Sequence, residues 1–320
     1  MRTRQWLLNA LTAAILVGLG ACGGGGGDDN RPTSTIDITT GNVEIVAHSV
    51  VAGVWGLSLG VTAPLAAGSS ISGRSMSAWL QMQSKRVASA SAQRERPLEV
   101  IGPIVESCDV IGTRSVTWDD RDGDRTLTVG DILTGVFTGC QDIPGETTNG
   151  TMTITALSST LGRIGMTQLS FETAKHSMTL NGSVLLEDVS ADTLQTTAEG
   201  PVTVAVLLKH LTPPFNDDVT LLDGFVARLT IGTADTVSTF NGLLESRGAG
   251  GVVQVATATN APIRQYAADD YAYAGTVQVK GMNSTLQMTV LSTSNVRLDL
   301  DADGNGSFES TETVAWDWLL

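Results

Sequence analysis

The sequence predicts a mainly β protein, an antiparallel meander forming a curved sheet or sandwich, with one N-terminal amphipathic helix. Three observations predict it. Apolar and polar residues alternate over many short stretches from about residue 113 onward, the period of strands with one dry and one wet face. Threonine fills many of the polar positions, which suits pleated, half-buried surfaces. Asn-Gly recurs at 149–150, 181–182 and 241–242, each beside such a stretch, and this dipeptide favours two-residue hairpin turns or a glycine bulge.

The first residues have another purpose. Arg2 and Arg4 make a positive start, Trp6 to Leu19 is apolar apart from Asn9 and Thr12, and small Gly20 and Ala21 lead to Cys22. A charged start, a short apolar core and a small-residue exit describe a secretory signal, and the apolar part is too short for a settled membrane span. The run Leu19-Gly20-Ala21-Cys22 resembles the lipobox of bacterial lipoproteins. That resemblance implies cleavage before Cys22, acylation of its thiol and anchoring to a membrane. Gly23, rather than Asp, follows the cysteine, which by the same resemblance favours the outer membrane. Gly23 to Gly27 and Asp28-Asp29-Asn30 come next. Consecutive glycines are costly to order and read as a flexible leash. The expected organisation is a signal peptide over 1–21, a lipidated cysteine and tether over 22–41, a strand and helix segment over 42–105 and a β-rich body over 106–320.

The formal net charge is −14, and it becomes more negative once Arg2 and Arg4 leave with the signal. Such acidity argues against nucleic-acid binding and against electrostatic docking on anionic lipid. Of the three cysteines, Cys22 would carry lipid. Cys108 and Cys140 then remain as an even pair in an oxidising compartment. Their bridge would close a loop of 32 residues and add roughly 3–4 kcal/mol on the chain-entropy model; two buried free thiols are the alternative.

Along the body, Val43 to Val51 reads as a first strand, with Val43, Ile45 and Ala47 alternating against Glu44, Val46 and His48. Met76, Trp79, Leu80 and Val87 recur at helical spacing within residues 76–94, so one amphipathic helix is expected there. Its basic end (Lys85, Arg86, Arg94, Arg96) reads as a solvated face. Residues 151–156, 276–280 and 285–290 alternate as strands do. Val202 to Leu208 is apolar nearly throughout and reads as a central strand. A transmembrane barrel is disfavoured, because aromatic residues make up only 5% of the chain, too few for two girdles.

Two loops have the composition of a calcium site. Residues 301–312, Asp-Ala-Asp-Gly-Asn-Gly-Ser-Phe-Glu-Ser-Thr-Glu, satisfy D-x-[DN]-x-[DN]-G-x5-E. In that spacing alternate side chains converge on one cation, glycine makes the sharp turn, and a late carboxylate closes the shell. The ligands would be Asp301, Asp303, Asn305, the Ser307 carbonyl, Glu309 and Glu312. The flanks, Val296 to Leu300 and Thr313 to Trp316, read as strands rather than the helices of an EF-hand, so a metal-free Asp/Asn/Gly turn is the alternative. Residues 120–131 repeat the shape, with Asp120, Asp122, Asp124, the Thr126 carbonyl and Asp131 as ligands and Arg125 where glycine would serve better. Both would be weak sites, roughly 10⁻⁴–10⁻³ M.

No catalytic set stands out. Gly56-Leu57-Ser58-Leu59-Gly60 matches G-x-S-x-G, but a nucleophile elbow needs a strand before the serine and a helix after it, and Val61-Thr62-Ala63-Pro64 does not start a helix there. His48, His176 and His210 are far apart in sequence and make no zinc signature.

Three stretches together carry a wider resemblance. They are Ser115 to Asp119 leading through the acidic loop to Gly130-Asp131, then Phe137 and Cys140, and finally Val296 to Leu320 with its Asp-rich loop and closing tryptophans. They resemble a family of uncharacterised proteobacterial lipoproteins in which a Cys, a D-x-D-G-D loop ending in Gly-Asp and a second Cys follow in that order. The likeness covers roughly residues 106–320. It implies an envelope location and a β-rich body, and no activity. The functional expectation is a non-enzymatic cell-envelope lipoprotein, a structural or ligand-binding β module, calcium-stabilised. Its partners would be the membrane, through the lipid, and an envelope protein or an apolar ligand. The alternative is an envelope hydrolase using paired carboxylates.

Overall fold

The computed structural model describes residues 34–66, 100–124, 128–190, 192–266 and 269–320. The signal and most of the tether, Cys22, the helix expected over 76–94 and Thr126 lie outside the described residues. Ser34–Leu320 is a compact unit of its own.

Within this unit the chain is a mainly β, antiparallel sheet of seventeen strands. The first six run as a simple meander: β1 (Val100–Ser107), β2 (Ile111–Asp119), β3 (Ile132–Ile143), β4 (Glu146–Ala156), β5 (Leu161–Glu172) and β6 (His176–Ser190). β6 is long enough to serve two partners. Its first half pairs with β8 (Val202–Leu208) and its second half with β7 (Thr193–Ala198). β9 (Phe215–Leu221) continues from β8 and β10 (Val226–Ile231) from β7, and both reach the long β11 (Asp235–Ser246). β11 pairs onward with β12 (Gly251–Thr257) and β13 (Ile263–Tyr266). A last meander, β14 (Gly275–Lys280), β15 (Thr285–Ser292), β16 (Asn295–Asp301) and β17 (Ser310–Ala315), starts on β12.

The alternation of the sequence maps onto this sheet. Met152, Ile154, Leu286 and Met288 are buried, while Thr153 and Gln287 between them are half-exposed. β8 is central, between β6 and β9, yet Thr203 and Ala205 are exposed; its apolar run hides a one-sided strand. The Asn-Gly pairs make no turn, and the first two sit opposite a bulge in a neighbouring strand. All three lie inside strands. Asn149 Oδ1 accepts the Gly139 N–H (2.7 Å), and Asn181 Oδ1 accepts the Gln168 N–H (2.7 Å). Each amide thus satisfies a donor that a register shift in the neighbouring strand removes from the ladder.

The first strand expected from the sequence is corrected to a helix. Residues 43–51 open α1 (Val43–Ala66). Asn42 sets its start, accepting the Thr39 N–H and donating to the Asp37 carbonyl. The β-branched valines that suggested a strand are weak helix formers, and burial overrides them. Five consecutive residues, Val46 to Val50, are buried. Five residues exceed one helical turn, so α1 is covered on every side there and the sheet curls around it rather than lying flat beneath. Gly53 and Gly56 allow the close approach: a Cβ on Gly56 would sit 2.8 Å from Val204 Cγ1. The G-x-S-x-G match is therefore helical interior, not a strand–turn–helix elbow. The chain ends in α2 (Trp316–Leu319), a single turn after β17, where the sequence suggested continued alternation.

Cys108 and Cys140 form a disulfide, with Cα atoms 5.5 Å apart. It joins the end of β1 to β3 across the intervening β2. Arg114, on β2, pairs beside it with Glu106 (3.2 Å) and Asp142 (3.0 Å). Residues 34–38 run along the body as well: Ile36 donates to the Val252 carbonyl (3.1 Å), and Ile38 is fully buried.

Candidate metal site: two acidic loops of one design

Both acidic loops join antiparallel neighbours, β2 to β3 and β16 to β17. In each, the first Asp is a buried residue where the first strand ends: Asp301 is the last residue of β16, and Asp120 directly follows the last residue of β2. Asp120 is fully buried and Asp301 nearly so. The Asp120 carboxylate accepts the Gly123 N–H (2.9 Å), and that of Asp301 accepts the Gly304 N–H (2.7 Å). The two glycines, each three residues after its Asp, have φ of 71° and 72°, the left-handed conformation that a side chain would resist. The two loops therefore turn the same way for the same reason.

In the later loop, Asp301, Asp303 and Glu309 bring carboxylate oxygens within 4.8 Å of one another. Asp301 also accepts the Asn305 and Gly306 N–H groups, and Glu309 accepts that of Ala302 (2.7 Å). The Asn305 amide donates to Asp303 (3.0 Å), while its oxygen accepts the Ser307 N–H (2.7 Å). Of the six expected ligands, three carboxylates and one amide are gathered. Glu312 is elsewhere: it lies in β17 opposite Leu298, two residues down the ladder from Ser310. A strand hairpin closes sooner than a helix-flanked loop, so its twelfth position has already left the loop.

In the earlier loop, Asp120, Asp122 and Asp124 likewise converge within 4.8 Å. Asp131 is fully buried and accepts the Arg121 and Thr128 N–H groups (3.0 and 2.9 Å), closing the base of the loop. The Thr128 hydroxyl donates to Asp122 (2.7 Å), and this bond is the main reason that the Asp122 carboxyl ionises below its ordinary range. Both loops offer oxygen ligands only, which selects hard cations. The remaining group of convergent ligand atoms, Cys108, Cys140 and Asp142, is committed to the disulfide.

A second cluster of chemistry-bearing residues escaped the sequence reading. The three histidines, distant in sequence, come close together: His48 and His210 meet α2, and His176 lies near His210. His48 of α1 is buried, stacks on Phe215 (4.7 Å), tilts against Trp318 (4.3 Å), and places Nδ1 3.2 Å from the Leu319 carbonyl. Burial pushes its pKa down to about 4. His176 of β6 meets Trp55 edge-on (4.7 Å) and is also pushed down to about 4, by burial first and then by the charges of His210, Lys209 and Lys175. The exposed His210 bonds to the Asp317 carbonyl. Asp317 receives Lys175 Nζ (2.9 Å) and the Tyr271 hydroxyl (2.7 Å), which hold its carboxyl below the ordinary range. The imidazoles are not among the described groups whose ligand atoms converge for a metal.

Compared with protein-family models, curated proteins and solved structures, the chain matches none.

Proposed function

We propose that this chain is a lipid-anchored protein of the bacterial cell envelope, at the outer membrane. Its β body acts as a non-catalytic structural or ligand-binding module braced by calcium. The anchor reading rests on the signal-like start, the lipobox-like run ending at Cys22 and the glycine leash. The observation that carries the calcium reading is the shared geometry of the two loops. Three carboxylates within 4.8 Å repel one another, and backbone N–H groups offset only part of that repulsion. A cation would relieve the rest. Calcium fits better than magnesium, because it accepts irregular shells of six to eight oxygens and several carboxylates.

In the later loop Asp301, Asp303 and Glu309 would hold the ion with Asn305 beside them; in the earlier one Asp120, Asp122 and Asp124 would. Bound calcium would tie the end of one strand to the start of the next, so it stabilises the sheet and takes no part in bond-making. Thermal unfolding tests this. Millimolar calcium at an affinity of roughly 10⁻⁴–10⁻³ M adds about 0.4–1.4 kcal/mol per loop, a rise of a few degrees over the chelated protein. Asp303→Asn with Glu309→Gln, both exposed positions, should remove about half of the rise. An identical midpoint with calcium and with chelator would end the proposal.

A further inference from the structure

The gathering of every histidine at one point has a physical consequence. α2 is short and makes few hydrogen bonds of its own, so its side contacts hold it. His48 meets it through the Leu319 carbonyl and the Trp318 ring, and His210 through the Asp317 carbonyl. Beyond it, Leu320 seals a small apolar cluster of Ala52, Met178, Val206 and Leu208, with Trp55 and Phe215 at its edge. His48 and His176 both lie against members of that edge, on Phe215 and Trp55 respectively.

We propose that the C-terminal turn, hinged at Trp316, is an acid-released latch: protonation of His48 and His176 frees Asp317 to Leu320 from the body and uncovers the apolar cluster beneath, while the sheet stays folded and Trp316 stays bonded to the Ser294, Ala272 and Ser292 carbonyls. Two positive charges would appear where His176 already faces Lys175, Lys209 and His210, and where His48 faces His210. The sign follows from linkage. Both imidazoles are harder to protonate in the docked state (about 4) than in water, where the ordinary value is 6.5. The released state therefore binds more protons between those limits, and docking weakens as pH falls through that window, by about tenfold per pH unit for each histidine.

The acidic groups do not reproduce this. Glu44, on the same helix as His48, is raised by burial and by Glu312 of β17 rather than by any group of the turn, so its protonation does not drive release. Asp317, lowered chiefly by Lys175, loses its contribution only below its ordinary value of 3.8. Glu172 pairs with Lys209 (2.6 Å) and keeps that ammonium beside His176.

Acrylamide quenching of tryptophan fluorescence, taken from about pH 7 to about pH 3.5 with far-UV circular dichroism on the same samples, tests the latch. Quenching should rise as pH falls while the β signal holds. His48→Phe with His176→Phe keeps the ring contacts and should abolish the rise. Should the pair fail to fold, His176→Phe alone must make the rise markedly shallower. Flat quenching in the unaltered chain, loss of the β signal at the same pH, or an unchanged profile in the variants would overturn the proposal.

Discussion

Asp217 shows what a single buried carboxylate does in this molecule. It sits on β9 and accepts three hydrogen bonds: from the Ser49 hydroxyl of α1 (2.6 Å), the Ser246 hydroxyl of β11 (2.7 Å) and the Gly248 N–H (2.6 Å). Both serines are buried too. One charged acceptor thus fastens the helix to two strands, and its cost of burial is offset by three short donors. Asp217→Ala removes the shared acceptor and leaves the Gly248 N–H without it, while Ser49 can turn to the Ile45 carbonyl (2.7 Å), so a destabilisation of about 1–3 kcal/mol is expected in urea unfolding; Asp218→Ala, at the exposed neighbouring position, should change the midpoint little. The inward role of Asp217 was legible in principle. Val219 and Leu221 follow it at steps of two and mark that face as dry. Among so many acids, charge hid the periodicity. The histidines are the opposite case: nothing local in the sequence joins residues 48, 176 and 210, because the sheet alone brings them together.

Elements were legible where alternation was clean and failed where the chain is apolar on every side. Residues 151–156, 276–280 and 285–290 became β4, β14 and β15, since one face of each meets the core and the other meets water. α1 defeated the same reading. Over Val46 to Val50 the helix is enclosed all round and shows no polar stripe to reveal its period, and an apparent alternation from Val43 to His48 pointed to a strand. The glycines carried the better signal. Gly53 and Gly56 lie on one side of the helix, and a Cβ at Gly53 would meet Leu244 and Val219 at 3.0 Å. Gly56→Val would drive a branched side chain into Val204, so a loss of about 1–3 kcal/mol is expected from overpacking, read as a lower denaturant midpoint with an unchanged slope. The Asn-Gly pairs teach a related lesson: the dipeptide was visible, but a turn and a strand position facing a bulge can both use it, and only strand length distinguishes them.

For the whole molecule, the long meander explains where the braces fall. Neighbouring strands are joined by short connections, so few links tie distant parts of the chain. The disulfide crosses β2 near one end of the sheet, the β2–β3 acidic loop lies close to it in sequence, and the second acidic loop closes the last hairpin. Helix α1 holds the middle. On this view calcium and the Cys108–Cys140 bridge serve one purpose, fixing hairpins of the first and last meanders. Calorimetric titration of the chelated protein with calcium examines this most directly. Saturable binding to two sites at roughly 10⁻⁴–10⁻³ M is expected, falling to one site when Asp303 and Glu309 are made Asn and Gln, and to none when Asp122 and Asp124 are also made Asn. Heat of dilution alone in the unaltered protein, or binding that survives all four substitutions, would contradict it.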